Sequence, residues 1–146
     1  MTYYAVIDTN VIVSSMLKRG SVPWLIMNMV DEKTIIPLLN EEILSEYIEV
    51  ITRNKFSFQQ ATVQEVIERI KSRAIFIEKT QTIEDFIDKD DIVFFEIVLS
   101  ARSTMDAYLV TDNMKHYPVR SYVVTPAQML EIIEKDKESI KSLNNL

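Results

Sequence analysis

The sequence predicts a three-layer α/β/α sandwich with a central, mostly parallel sheet, and three observations lead there. Short unbroken apolar runs rich in β-branched and aromatic residues recur, as in Tyr4-Ala5-Val6-Ile7 and Ala107-Tyr108-Leu109-Val110, which suits strands buried on both faces. Segments with helical apolar spacing separate these runs, and such alternation with right-handed crossovers gives a parallel sheet between helices. Acids stand at the carboxyl ends of the runs, at Asp8 and Asp112, on the edge where open α/β sheets bind ligands.

The first run, residues 4–7, stops at Asp8-Thr9-Asn10. Residues 11–17 read as a short helix ending near Arg19-Gly20, where Gly20 is a natural stop. Ser21-Val22-Pro23 opens a second helix through residue 30, since Pro is tolerated in a first turn. Thr34-Ile35-Ile36-Pro37-Leu38 reads as the second strand. Asn40 is a good N-cap for a helix over 41–53, whose Ile43, Leu44, Tyr47, Val50 and Ile51 form one apolar stripe. Glu46 falls on the margin of that stripe as a half-buried acid, with Glu42 and Glu49 further round towards solvent.

Residues 55–57 break the pattern, and 62–73 resume it as an amphipathic helix carrying Val63, Val66, Ile67 and Ile70. Residues 74–77 read as a strand, followed by an acidic loop from Asp85 to Asp91. Residues 92–101 form a helix apolar almost all round, hence buried, with Asp88, Asp90 and Asp91 crowding its start. Capping and the helix dipole account for one or two of those acids. A strand over 107–110 ends at Thr111-Asp112-Asn113, a last strand covers Tyr122-Val123-Val124, and Pro126 opens a helix over 127–134. Residues 1–135 are expected to form a single domain, with 136–146 a polar tail prone to fraying.

With 146 residues the chain is long enough for one substantial core. It has no cysteine, so any metal is held by oxygen or by the single His116, which points to Mg²⁺ or Mn²⁺ rather than structural zinc. Having Gly20 as its one glycine excludes a P-loop and a dinucleotide fingerprint. The net charge of −6 argues against a general nucleic-acid binder, though not against a nuclease whose acids hold cations. No apolar run approaches the roughly 18 residues of a membrane span, and the start lacks the basic residues of a signal peptide. A cytoplasmic protein without membrane contact is expected.

Folded in this way, the chain gathers Asp8, Glu46, Asp91 and the Asp112-Asn113 pair at one sheet edge. Crowded carboxylates raise one another's pKa, so such a cluster stays ionised only around a cation. Hard oxygen ligands select Mg²⁺ or Mn²⁺, and such ions support phosphodiester hydrolysis. Each residue also has a plainer reading. Asp8 and Asp91 can be helix caps, Glu46 a solvated flank, His116 a structural turn residue, and Arg53, Lys55, Arg102 and Lys115 surface charges.

Asp8-Thr9-Asn10-Val11-Ile12-Val13-Ser14 resembles the opening of PIN-domain ribonucleases, DTNV followed by serine. The resemblance continues in order through NEEILSEYIEVITRNKF (40–56), DKDDIVFFEIVLSA (88–101) and DAYLVTDNMKHYP (106–118). It covers nearly the whole chain up to the terminal helix and is similar to VapC toxins of type II toxin–antitoxin systems. It implies a PIN-like fold and an Mg²⁺- or Mn²⁺-dependent endoribonuclease. Asp8, Glu46 and Asp91 become the catalytic, metal-binding acids, with Asn10 and Ser14 supporting the Asp8 loop.

The family's fourth acidic position falls on Asn113, an amide, and Asp112 stands where glycine is usual, so either would reach a metal through water. Lys115, His116 and Arg53 are candidates for RNA contact. The implied partners are an RNA substrate, a small antitoxin protein covering the acidic cleft, and a second copy of the chain. Trp24, Met27 and Met29 are read as core or dimer face. The alternative is a catalytically degenerate PIN domain that binds RNA or protein. A haloacid-dehalogenase-type phosphatase needs an acid two residues after Asp8, where Asn10 stands, and a receiver domain needs its reactive Asp on a middle strand.

Overall fold

Apolar runs of β-branched residues form the strands β1 (Tyr3–Ile7), β2 (Ile35–Leu39), β3 (Ile75–Phe76), β4 (Ala107–Val110) and β5 (Val123–Val124). The structure, a computed structural model, describes residues 1–82 and 89–145. The acidic loop read at Asp85 and the cap read at Asp88 therefore lie outside the described residues.

The strands make a five-stranded sheet of order β3-β2-β1-β4-β5, and every neighbouring pair is parallel. From β1 the chain moves outward through β2 to β3, then returns to lay β4 on the other side of β1. The order thus reverses between β1 and β4, and such a switch point opens a crevice beyond the strand ends. Ile7 is in register with Val110, so Asp8 and Thr111 leave the sheet side by side. The Asp8 amide donates to the Val110 carbonyl at 2.9 Å, and the Thr111 amide to that of Val124 at 2.9 Å.

The helices are α1 (Thr9–Leu17), α2 (Val22–Asp31), α3 (Glu41–Ile51), α4 (Gln60–Arg73), α5 (Ile92–Arg102) and α6 (Pro126–Asn144). Their starts follow the sequence signals. The Asn40 side chain accepts from the Ile43 amide at 2.9 Å and Ser21 from that of Trp24 at 3.3 Å, satisfying donors a first turn leaves orphaned. Gly20 takes φ +83 in the turn between α1 and α2, a conformation its missing Cβ permits.

The helices pack on the sheet to give the PIN-like three-layer α/β/α sandwich. α5 lies across β1, β2 and β4 and buries Phe94, Phe95, Ile97 and Val98 in the core that also holds Val6, Leu38 and Leu109. Among the described residues, no helix is long and apolar enough to cross a membrane.

The structure departs from the sequence reading at helix ends, with α1 starting at Thr9 rather than residue 11 and α3 ending at Ile51 rather than residue 53. α4 starts at Gln60, a turn before its apolar stripe begins. α6 runs on to Asn144 through residues read as prone to fray. Its start carries a full capping box, in which Thr125 accepts from the Gln128 amide and Gln128 accepts from the Thr125 amide. Beyond Pro126 no Gly or Pro interrupts it, and a polar helix with good formers needs no apolar stripe to continue. Its middle is tied to the sheet, because the buried Tyr3 hydroxyl donates to Asp136 at 2.7 Å.

Tyr3→Phe removes that one hydrogen bond to a charged acceptor and keeps the ring. It is expected to cost about 1.5 kcal/mol, read as a lower urea midpoint with an unchanged slope.

Candidate functional site

Asp8 occupies the N-cap position of α1 with extended backbone, yet makes no side-chain cap hydrogen bond. It is 4% exposed, and its carboxylate points into the crevice between β1 and β4. There Thr111, wholly buried, donates its hydroxyl to Asp8 Oδ2 at 2.6 Å. The Tyr117 hydroxyl stands 3.5 Å from the same oxygen and 3.5 Å from Asp91 Oδ1, spanning the two acids. Asp8 thus caps α1 by position, and its carboxyl is addressed by the Thr111 hydroxyl as well as by the amides that open the helix.

Glu46 approaches from α3. Its neighbour Tyr47, fully buried, donates its hydroxyl to the Ile7 carbonyl at the end of β1, which fixes α3 against that strand. Glu46 itself is half-buried and accepts the Thr9 hydroxyl. Asp91 sits where α5 begins and makes no side-chain cap hydrogen bond. Its Oδ2 lies 3.1 Å from His116 Nδ1, with the two side chains 15% and 29% exposed. Three acids from distant parts of the chain thus face the switch point.

Burial raises the Asp8 carboxyl above its ordinary range, and the Thr111 hydroxyl with the nearby amides of Thr9 and Asn10 offsets only part of that. Glu46 is raised as well, first by burial, against the Thr9 hydroxyl, and further by the charges of Asp8, Asp90 and Asp91. Burial and the charges of Asp8, Asp91 and Glu46 push the Tyr117 hydroxyl far up, so it remains a proton donor. The acids sense one another electrically, and Glu46 also feels the Arg53 charge.

All the donors on these acids are oxygen, the chemistry that fits Mg²⁺ or Mn²⁺. Among the described residues, however, no three His, Asp or Glu side chains are grouped as a ready ligand set. Glu46 is turned to Thr9 and Asp91 to His116. Gathering them about one ion means exchanging those hydrogen bonds for coordination.

The other predicted residues are placed variously. Asn113 is half-buried at the mouth of the crevice, its amide donating to Thr111 Oγ1 at 2.9 Å, whereas Asp112 is exposed. Asn10 is exposed and Ser14 half-buried on α1. His116 joins the acids directly, Lys115 is exposed beside it, and Arg53 is committed to Glu49 at 2.8 Å. Trp24 is partly buried under the Arg19 guanidinium, 5.9 Å from the ring centroid. The sequence reading passed over Thr9, Thr111 and Tyr117, the hydroxyls that hold the acids. Glu96, 6% exposed on α5, was hidden within an apolar run.

A family model described as PIN domain matches residues 4–115. No curated protein matches the chain.

The raised carboxyls give a signed stability effect. A folded acid with a raised pKa binds its proton more tightly than the unfolded one, so its charge destabilises the fold at neutral pH and less so as pH falls. With chelator present at pH 7, Asp8→Asn and Glu46→Gln are each expected to raise Tm by about 2–5 °C. That advantage shrinks on acidification through the raised values and is gone below about pH 4, which thermal scans from pH 7 downward would check.

Proposed function

The chain belongs to the PIN domain family, whose members are typically nucleases that use divalent metals and bind RNA, and from that premise we propose that it is an Mg²⁺- or Mn²⁺-dependent endoribonuclease. The observation that carries this reading is the convergence of Asp8, Glu46 and Asp91 on the switch point, joined by Tyr117 between Asp8 and Asp91 and coupled through charge at Glu46.

On this reading Asp8, Glu46 and Asp91 would hold the metal, Asn113 or Asp112 would reach it through water, and Asn10 and Ser14 would steady the Asp8 loop. The metal, when bound, lowers the pKa of water and neutralises charge on the phosphate. The chain's own residues do the rest. Thr111 and Tyr117 engage Asp8 Oδ2, so the carboxylate is oriented before substrate arrives. Asp8 orients the attacking water in line with the leaving oxygen. His116, with Lys115 and Arg53, contacts the RNA backbone. His116 Nδ1, 3.1 Å from Asp91 Oδ2, positions that carboxylate beside the crevice.

The motif resemblance supports a toxin role in the cytoplasm, with a small antitoxin protein covering the acidic cleft and a homodimer as the assembly. Leu17 and Leu25, 58% and 39% exposed near the α1–α2 turn, offer apolar surface for such contacts. A second reading, a catalytically degenerate PIN domain that binds RNA or protein, is favoured by Asn113 and by the absence of a ready ligand set among the described residues.

Purified protein is expected to cleave a labelled RNA pool with Mn²⁺ or Mg²⁺ and not with EDTA, and Asp8→Asn, Glu46→Gln and Asp91→Asn each to lose more than about 100-fold of that rate. Folded wild type that cleaves nothing would give way to the binding-module reading, and equal residual cleavage in wild type and Asp8→Asn would mark a contaminant.

A further inference from the structure

One stretch differs in charge from the rest of the molecule. Between Glu49 and Glu65 there is no acid, and Arg53 and Lys55 stand together there in a chain of net charge −6. After α3 the chain makes a single 3-10 turn, Asn54–Phe56. Ser57 closes it in the left-handed region at φ +54, and Phe58 stacks on Phe56 with ring centroids 5.5 Å apart and planes within 14°. The Lys55 ammonium lies over the Phe56 ring, 5.0 Å from its centroid. Both rings pack partly on the core and remain partly open to solvent.

At Arg53 this stretch meets a groove that leads to Glu46. This open cavity of about 490 Å³ between α3 and α5 is lined by five acids, Glu46 and Asp90 among them, and by Arg53, Lys79 and Lys89. The Arg53 guanidinium meets Glu49 at 2.8 and 3.1 Å, an exposed pair of the kind that yields readily to a competing phosphate.

We propose that residues 53–58 form a docking site for single-stranded RNA, in which Arg53 and Lys55 take backbone phosphates and the Phe56–Phe58 stack takes a base. The proposal rests on the nuclease reading and names the substrate class of that site. A base on an aromatic face is held more strongly than an exposed cation over it. An arriving base therefore displaces the Lys55 ammonium from the ring and frees it for the adjoining phosphate. The placement is suitable, since Arg53 and Glu46 line the same groove. Bases in a duplex are already stacked and paired, so only a single strand can offer a free face here.

The test is fluorescence anisotropy of a labelled oligouridylate in EDTA, so that binding is read without turnover, beside RNA cleavage by the same preparations in Mn²⁺. Lys55→Ala and Phe58→Leu are each expected to weaken the single-strand complex about tenfold, while a duplex of the same length binds weakly to all proteins. Lys55 is exposed, so its variant reports even if the Phe58 variant fails to fold. Wild-type affinity in both variants, with cleavage still metal-dependent and lost in Asp8→Asn, would overturn the docking site and leave the nuclease reading standing. Equal losses for duplex and single strand would overturn the single-strand assignment. A wild type that cleaves no RNA would remove the premise and overturn both readings.

Discussion

A carboxylate buried at the end of the central strand is the constraint on which the rest of this structure depends. Burying a charge is costly unless it is paired, yet the groups that address Asp8 are neutral, the hydroxyls of Thr111 and Tyr117 and the amides of Thr9 and Asn10. They orient the charge without cancelling it. Glu46 and Asp91 approach the same crevice and add to the negative potential. Burial and mutual repulsion both raise the carboxyls of Asp8 and Glu46, and on the nuclease reading a bound cation would offset that cost.

The fold sets this position through backbone pairing. β1 and β4 run in register, so the residues after each emerge together, and the switch in strand order leaves the space between them open. α3 is held to the end of β1 by the Tyr47 hydroxyl on the Ile7 carbonyl, which brings the adjacent Glu46 to Thr9. Asp91 is brought in because α5 lies across β1, β2 and β4, so its first turn opens on the same edge. The apolar character of α5 and the reach of Asp91 thus have one cause, since the helix has to cross the sheet to be buried.

Much of this was legible in the sequence. Five apolar runs marked the strands, and Asn40, Ser21 and Pro126 marked helix starts, because burial and capping leave their signature in neighbouring residues. Asp8, Glu46 and Asp91 could be singled out because each interrupts or borders an apolar pattern. The hydroxyls holding them could not, since Thr111 and Tyr117 meet Asp8 across sequence separations of 103 and 109 residues that no local periodicity encodes. The length of α6 was missed for a different reason. Its last turns are polar, and polarity reads as fraying unless a cap and an anchor such as Tyr3–Asp136 hold the helix.

The distribution of charge bears on how an acidic chain could hold RNA at all. Many of its cations are paired with acids, as in Arg69 with Asp31 and Glu65, Lys79 with Glu42 and Arg102 with Asp106. A surface arranged in this way attracts phosphate weakly over distance, because steering and non-specific affinity both scale with free positive charge. On the nuclease reading, recognition then depends on short-range contacts made where acids are sparse. The stretch from Val50 to Gln64, free of acids and carrying a stacked aromatic pair, meets that need. Stacking is little screened by salt, unlike phosphate contacts. On that reading selectivity would come from what fits between the loop and the acids, and the acidity of the remaining surface would discourage indiscriminate binding to RNA.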